Sequence, residues 1–312
     1  MFVLRMLAAT LASCGLASCA RTQVGRSQTA SPSVALAARM LPRDAVVQRT
    51  MTFVDHSRLI RFPGQRAEAR RLVTVVRYPA HAQGPLPLVV FGHGFAVTPA
   101  YYFRLLRAWA RAGYVVAAPV FPLENRHAPR GPNESDLVHQ PRDMSFVITS
   151  MLRASAAHRG PLSGLISRRE IAVSGQSDGG ETALAVAYDR HVVNRRIRAA
   201  IIHSGAEIPG SGGFDPARSS PPLLASQGTA DTTNQPRFTY AFFRAARRPK
   251  YLLRLLNAGH LPPYTYEQPW LSIIERVTTA FLDRYLKGER SGIARMIASG
   301  NVRRRSTLEV RR

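Results

Sequence analysis

The stretch Ile171-Ala-Val-Ser-Gly-Gln-Ser-Asp-Gly-Gly180 contains a Gly-x-Ser-x-Gly pattern, with Ser177 between Gly175 and Gly179. An apolar, β-branched run precedes the pattern and a helix-compatible run follows it. A nucleophilic serine of this kind occupies a strained turn from strand to helix. Small neighbours let the backbone segments pass close together there, and the helix N-terminus favours developing negative charge. The context therefore favours Ser177 as a nucleophile over an incidental serine in a glycine-rich turn.

On both sides of this stretch, from about Arg70 onward, short apolar runs alternate with longer amphipathic runs. Such alternation predicts an α/β fold with a mostly parallel central sheet and helices on both faces. The predicted strands are 72–78, 87–91, 114–118, 170–174, 198–203, 222–227 and 251–257. The predicted helices are 99–112, 140–155, 178–189, 237–246 and 269–286. The polar segment 119–141, rich in Pro, Gly and His, is expected to form a long surface loop.

A serine hydroxyl needs a base, and the base needs an orienting carboxylate. Along the chain, an elbow of this type is followed first by the acid and then by the histidine, each at the end of a strand. Asp231 follows the last but one predicted strand and His260 follows the last, so they are the favoured acid and base. Asp215 and Glu207 remain rival acids. His203 precedes the favoured acid and is expected to border the site or to cap the sheet.

The run Leu88-Val-Val-Phe-Gly-His-Gly-Phe95 predicts a strand that leads into a tight turn. Two backbone N–H groups would stabilise a tetrahedral oxyanion, one from Phe95 and one from Asp178, the residue after the serine. His93 is expected to brace the turn rather than to act as base. The carboxylate of Asp178 is expected to favour the first helical turn, with the side chain directed away from the substrate.

With these pieces in order, the chain from about Arg70 to Leu286 resembles the α/β-hydrolase superfamily. Its strings Phe91-Gly-His-Gly-Phe95 and Gly175-Gln-Ser-Asp-Gly-Gly180 are similar to those of one branch. That branch holds dienelactone hydrolase-like, chlorophyllase-like, platelet-activating-factor acetylhydrolase-like and bacterial polyester hydrolase proteins. The resemblance implies a serine esterase without a metal or other cofactor. Dienelactone hydrolases use a cysteine nucleophile, whereas this chain has no cysteine beyond position 19, so dienelactone is not the expected substrate.

The N-terminus has one early cation, Arg5, followed by an uncharged segment up to Cys19. This is the layout of a secretory signal, too short for a membrane-spanning helix. Leu-Ala-Ser-Cys19 resembles the bacterial lipobox, which implies lipidation of Cys19 and attachment of an exported protein to the membrane of the cell envelope. A plain signal peptide and secretion are the alternative. The predicted organisation is a signal peptide at 1–18, a flexible tether at 19–49, a catalytic domain at 50–288 and a basic tail at 289–312.

The chain carries 43 Lys and Arg against 19 Asp and Glu, a formal net charge of +24. Because 45% of the residues are hydrophobic, a disordered polycation is excluded. The charge favours anionic surfaces or substrates without defining a fold. No nucleic-acid-binding motif accompanies it, so nucleic acid is not an expected partner.

The leading hypothesis is an envelope-attached hydrolase that cleaves small-molecule or lipid carboxylic esters. Ser177 would attack the ester, His260 would carry the proton and Asp231 would orient His260. An amidase or acyltransferase that uses the same residues remains open. So does a non-catalytic, arginine-rich lipoprotein that binds an anionic envelope polymer.

Overall fold

The computed structural model describes residues 42, 44–62, 64, 66–216 and 220–312. The predicted signal peptide, Cys19 and most of the predicted tether lie outside these residues. The described residues belong to one unit, Leu41–Arg312. Their strands are β1 Val46–Ile60, β2 Glu68–Pro79, β3 Leu86–Gly92, β4 Val115–Pro119, β5 Ile166–Gln176, β6 Ala199–His203, β7 Leu223–Gly228, β8 Lys250–Leu255 and β9 Ser306–Arg311.

These strands form one sheet in the order β1-β2-β4-β3-β5-β6-β7-β8-β9. From β4 to β8 the neighbouring strands pair in parallel. At the margins, β1 with β2, β2 with β4 and β8 with β9 pair antiparallel. The predicted α/β architecture with a mostly parallel sheet is confirmed. Because parallel strands end at a common edge, the loops after β3, β5, β7 and β8 meet there.

The central strands each contain a buried, mostly apolar stretch, because both faces of the sheet are covered there. In β3, Leu88 and Val90 pack into one core, while Val89 and Phe91 pack into the core on the opposite face. All four side chains are fully buried. The continuous apolar runs read from the sequence are therefore strands with two buried faces.

The main helices are α1 Phe103–Arg111, α2 Gln140–Ala156, α3 Asp178–Tyr188, α4 Pro236–Ala245, α5 Pro262–Thr265, α6 Trp270–Leu286 and α7 Gly292–Gly300. Residues of α2, α3 and α4 pack into the first core, and residues of α1 and α6 into the second. Within the described part of the chain, no helix combines the length and the apolar character that crossing a membrane requires.

The segment 119–141 connects β4 to α2 largely as an exposed loop, as expected, but part of it is ordered by buried charges. It contains a 3₁₀ helix, Glu134–His139, and two buried acidic residues, Glu124 and Asp136. Arg70 on β2 forms ion pairs with Asp136 and with Asp143 on α2, at 2.6 and 2.5 Å. Buried ion pairs thus fix the segment to the sheet. Glu124 and Asp136 therefore contrast with the exposed polar residues of the segment, such as Arg126, His127 and Glu134.

The predicted boundaries at both ends of the catalytic domain need correction. The expected tail 289–312 contains α7, which packs on α6, and β9, which extends the sheet beside β8. Gly292 lies so close to α6 that a Cβ there would be 2.6 Å from the Ala280 carbonyl oxygen. At the other end, β1 begins at Val46, inside the predicted tether. Both edge strands mix arginines with apolar residues, so they lack the continuous apolar run of the central strands.

Candidate active site

Ser177 lies at the turn between β5 and α3, with φ 58° and ψ −128°. This is sparsely populated backbone for a residue with a Cβ, and such strain is typical of functional sites. The predicted elbow glycines are required by close packing. A Cβ on Gly175 would lie 1.9 Å from the Gly179 carbonyl oxygen, and one on Gly179 would lie 2.1 Å from the Gly92 carbonyl oxygen. Only glycine fits either position, so the elbow can pack against the loop after β3.

The structure brings Ser177, His260 and Asp231 into one chain of hydrogen bonds. Ser177 Oγ lies 2.9 Å from His260 Nε2, and His260 Nδ1 lies 2.8 Å from Asp231 Oδ2. Because a carboxylate can only accept, Nδ1 carries the proton and Nε2 is free to accept from the serine. The residues are 83 and 29 positions apart in sequence, so the sheet creates this contact.

Asp231 is held by donors from its own loop and from the end of β7. Its Oδ1 accepts the backbone N–H groups of Thr233 and Asn234, each at 3.0 Å. Gln227 Nε2 donates to Oδ2 at 3.1 Å, and Thr239 Oγ1 donates to Gln227 Oε1 at 2.6 Å. Asp231 is buried and His260 is partly open to solvent. The acid is therefore fixed, while the histidine ring remains accessible.

The rival residues lie elsewhere. The backbone N–H of Asp215 donates to the Tyr188 carbonyl, at the end of α3 remote from Ser177. Glu207 lines a small cavity with Asp189, beside that same end. His203 is fully buried, and burial lowers its pKa to about 3, so it stays neutral. Its carbonyl accepts the N–H of Ser177 at 3.0 Å, so His203 borders the site through its backbone.

Two backbone N–H groups beside Ser177 are free to bind an anion. In the loop after β3, the N–H of Gly94 donates to Tyr102 Oη and that of Ala96 to the Glu124 carbonyl. The N–H of Phe95, between them, has no acceptor among the described residues. Asp178 is the first residue of α3, where an N–H has no acceptor within the helix. These are the two donors predicted from the sequence.

His93 braces the loop, as the sequence suggested. It is fully buried, and burial lowers its pKa to about 4. Its Nε2 accepts the N–H of Phe121 at 3.0 Å, and its Nδ1 lies 2.8 Å from the carbonyl oxygen of Gly94. Neutral His93 therefore accepts at Nε2 and donates from Nδ1, which leaves no free ring nitrogen for proton transfer.

Tyr102 and Gln176 connect the loops of the site, and sequence reasoning missed both. Tyr102 Oη accepts from the Gly94 N–H at 3.2 Å and donates to Gln176 Oε1 at 2.7 Å. Gln176 Nε2 donates to the His260 carbonyl at 3.1 Å. The only sequence signal for this link is the glutamine directly before the serine. Its partners lie 74 and 84 residues away, beyond the reach of a local pattern.

Three buried carboxyl groups surround the start of α3. Burial, followed by the nearby Asp178, raises the pKa of Glu124 to about 11 and that of Glu181 to about 8. Asp178 Oδ1 lies 3.3 Å from Ser177 Oγ, and the Asp178 side chain hydrogen-bonds Glu124. The side chain of Asp178 is therefore buried beside Ser177 and Glu124, and its expected direction away from the substrate stays a prediction. Among the described residues, no three His, Cys, Asp or Glu side chains cluster as metal ligands would.

The protein has the α/β-hydrolase fold. Its central sheet is mostly parallel, the serine elbow follows β5, and the loops after β7 and β8 lie at the same edge of the sheet. The sequence profile of the family described as Chlorophyllase matches residues 56–230, more than half of the chain. The chain belongs to that family, and membership implies hydrolase activity within the α/β-hydrolase superfamily. The matched range includes Ser177, Phe95 and Asp178 and ends just before Asp231. No curated protein matches the sequence.

Proposed function

We propose that the protein is a serine hydrolase that cleaves carboxylic esters through an acyl-enzyme intermediate. The observation that carries this proposal is the unbroken hydrogen-bond chain from Ser177 through His260 to Asp231. Membership of the chlorophyllase family supports ester hydrolysis. A non-catalytic lipoprotein would have no need for a strained serine backed by an oriented histidine and two free N–H groups.

In the first half-reaction, Ser177 Oγ attacks the ester carbonyl carbon while His260 Nε2 takes the hydroxyl proton. The carbonyl oxygen becomes an oxyanion and accepts the N–H groups of Phe95 and Asp178. Asp231 stabilises the imidazolium and preserves its orientation. The tetrahedral intermediate then collapses, His260 donates its proton to the departing alcohol, and the acyl group remains on Ser177.

In the second half-reaction, water replaces the alcohol. His260 takes a proton from the water as it attacks the acyl-enzyme carbonyl, and the same N–H pair binds the second oxyanion. Collapse releases the carboxylic acid and returns the proton to Ser177. The same residues could pass the acyl group to another alcohol or amine, so the competition between acceptors decides between hydrolysis and transfer.

Hydrolysis of p-nitrophenyl esters of short and long acids tests the proposal, with the corresponding anilides as amide substrates. We expect the wild-type protein to cleave esters faster than anilides, and the Ser177→Ala variant to show only the background rate. Addition of an alcohol acceptor separates hydrolysis from transfer, because transfer yields a new ester instead of the free acid. Equal ester cleavage by wild type and variant would contradict the proposal.

We also propose that the protein is exported and attached to a membrane through a lipid on Cys19. The support is the Leu-Ala-Ser-Cys19 string after an uncharged segment. Two or more acyl chains suffice for stable attachment. Radioactive palmitate should label the wild-type protein and not the Cys19→Ala variant. Label retained in the variant would refute lipidation at this residue.

A further inference from the structure

Glu124 and Asp178 are buried carboxyl groups in contact beside Ser177. Glu124 is 0% exposed and Asp178 is 6% exposed. Their side chains hydrogen-bond each other. No N–H or O–H group of the described residues donates to either oxygen of Glu124 or to Asp178 Oδ2. Because ionised carboxylates have only acceptor oxygens, this contact requires a proton between them.

The burial of Glu124 indicates that it is the carboxyl group that carries the proton. Burial and the adjacent Asp178 raise the pKa of Glu124 to about 11, so its carboxyl is protonated near neutral pH. A neutral Glu124 donates its O–H to Asp178 and satisfies an acceptor that would otherwise be buried without a partner. The pair then carries one negative charge instead of two beside the position where an oxyanion would form.

The backbone of Glu124 is bound to the loop after β3. Its carbonyl accepts the N–H of Ala96 at 3.0 Å, directly after Phe95. Three residues earlier, Phe121 donates its N–H to His93 Nε2 at 3.0 Å. Asn125 closes the turn between these contacts, because its Nδ2 donates to the Phe121 carbonyl at 2.7 Å. The segment from Phe121 to Asn125 is therefore fixed to both ends of the loop that carries the Phe95 N–H.

We propose that Glu124 is a positioning residue for the oxyanion hole, and that it sets the separation between the N–H groups of Phe95 and Asp178. Its side chain holds Asp178 at the start of α3, and its carbonyl holds Ala96 next to Phe95. One residue thus adds a direct link between the two donor-bearing segments, which also meet through the Gly92–Gly179 packing and through Tyr102 and Gln176. This inference rests on the proposed ester hydrolysis.

Two substitutions separate this role from simple packing. Glu124→Gln keeps the size of the side chain and an N–H donor for Asp178. Glu124→Leu removes the donor and leaves Asp178 Oδ2 without a partner. The matched control is Glu134→Leu, which changes an exposed glutamate of the nearby 3₁₀ helix.

We expect Glu124→Leu to lower kcat for a p-nitrophenyl ester about 10²-fold, the effect of displacing a catalytic group by roughly 1 Å. KM should stay within about threefold, because the donors act mainly in the transition state. A trifluoromethyl ketone inhibitor, which forms an oxyanion on Ser177, should bind more weakly by a factor similar to the loss in kcat. Glu124→Gln should restore kcat to within about fivefold of wild type, and Glu134→Leu should leave it unchanged.

A Glu124→Leu variant with wild-type kcat would overturn the inference. A Glu124→Gln variant as inactive as Glu124→Leu would also overturn it, because a side chain of the same size with a donor for Asp178 would then fail to restore kcat. A wild-type protein that neither hydrolyses esters nor binds the ketone would refute the proposed function, and the positioning role with it. The wild-type measurement therefore distinguishes a failure of the proposed function from a failure of the positioning role of Glu124.

Infrared spectroscopy tests the shared proton without depending on activity or on the folding of Glu124→Leu. At about pH 9, ordinary carboxyl groups are ionised. We expect the wild type to retain the C=O stretch of a protonated carboxyl that is missing from Glu124→Gln. The exposed-site variant Glu134→Gln should match the wild type. A Glu124→Gln spectrum that retains the whole band would overturn the inference.

Discussion

At the residue scale, the proposed chemistry depends on which nitrogen of His260 carries the proton. Asp231 Oδ2 accepts from Nδ1, and two backbone N–H groups bind Asp231 Oδ1, so the carboxylate cannot turn away without losing both. This arrangement leaves the lone pair of Nε2 directed at Ser177 Oγ. The orientation of one carboxylate therefore decides whether the serine can lose its proton.

Asp231→Asn tests this dependence. The asparagine amide donates to Nδ1, which moves the imidazole proton to Nε2 and prevents it from accepting from Ser177. We expect kcat for an ester to fall about 10⁴-fold without loss of folding. Asp215→Asn, in the rival acid, is the control and should retain wild-type kcat. The reverse ranking of the two variants would show that the acid was wrongly assigned.

The sequence was sufficient to predict the residues of this hydrogen-bond chain, because each follows a recognisable strand. It was insufficient for Tyr102, Gln176 and Gln227, which hydrogen-bond to the loops of the site, and for Glu124, which contacts Asp178. Their partners belong to other loops, and no local pattern specifies a hydrogen bond between residues that only the folded sheet brings together. The burial of Glu124 and Asp136 in segment 119–141 could not be predicted for the same reason.

At the element scale, the β1–β2 ribbon is joined to α2 by buried charges. Arg70 on β2 donates to both oxygens of Asp136 and both oxygens of Asp143, at 2.5 to 2.8 Å. Arg58, next to β1's bulge, also pairs with Asp143 at 2.8 Å. These contacts hold in place the segment that leads from β4 to α2. The ion pairs of Arg70 and Arg58 also hold the β1–β2 ribbon, which lies at the edge of the sheet, against α2.

Arg70→Met should lower the free energy of unfolding by about 3 to 5 kcal/mol, because it leaves two buried carboxylates without their main partner. Arg71→Met is the matched control, since Arg71 is the next residue of β2 and is exposed. That variant should stay within about 0.5 kcal/mol of wild type. Urea unfolding followed by circular dichroism measures both. Equal stability of the two variants would contradict a stabilising role for the cluster.

Element prediction succeeded where both faces of a strand are buried and failed at the edges. The buried stretches of β3 to β8 are rich enough in apolar residues to be predicted as strands from the sequence alone. In β9, Leu308 is buried, but Thr307 and Arg311 are exposed, so the apolar signal is short and interrupted. Arg311 lies on this open margin of the sheet, where charge discourages pairing with another chain, whereas Arg303, Arg304 and Arg305 lie in the turn before β9.

At the scale of the whole molecule, burial of acidic groups in a strongly cationic protein makes stability depend on pH. Glu181 is 7% exposed, and its raised pKa of about 8 means that the folded protein holds its proton more tightly than the unfolded chain. Between about pH 4.5 and 8 the folded state therefore binds more protons, so this group's contribution to stability falls as pH rises.

Glu181→Gln removes this contribution because glutamine does not ionise. Between about pH 5 and pH 8, the wild type should lose roughly 3 kcal/mol more of its unfolding free energy than the variant does. Glu68→Gln, on the exposed side of β2, should follow the wild-type profile. Urea titrations of the three proteins at both pH values give the comparison. Parallel profiles for wild type and Glu181→Gln would contradict the raised pKa.

The most direct test of the central claim is the site of covalent modification by a fluorophosphonate, read by mass spectrometry of the intact protein and its peptides. We expect one adduct on the peptide that contains Ser177, no adduct in Ser177→Ala, and wild-type labelling in Ser174→Ala, which alters a buried serine of β5. An unmodified wild type, or equal modification of Ser177→Ala, would contradict a nucleophilic role for Ser177.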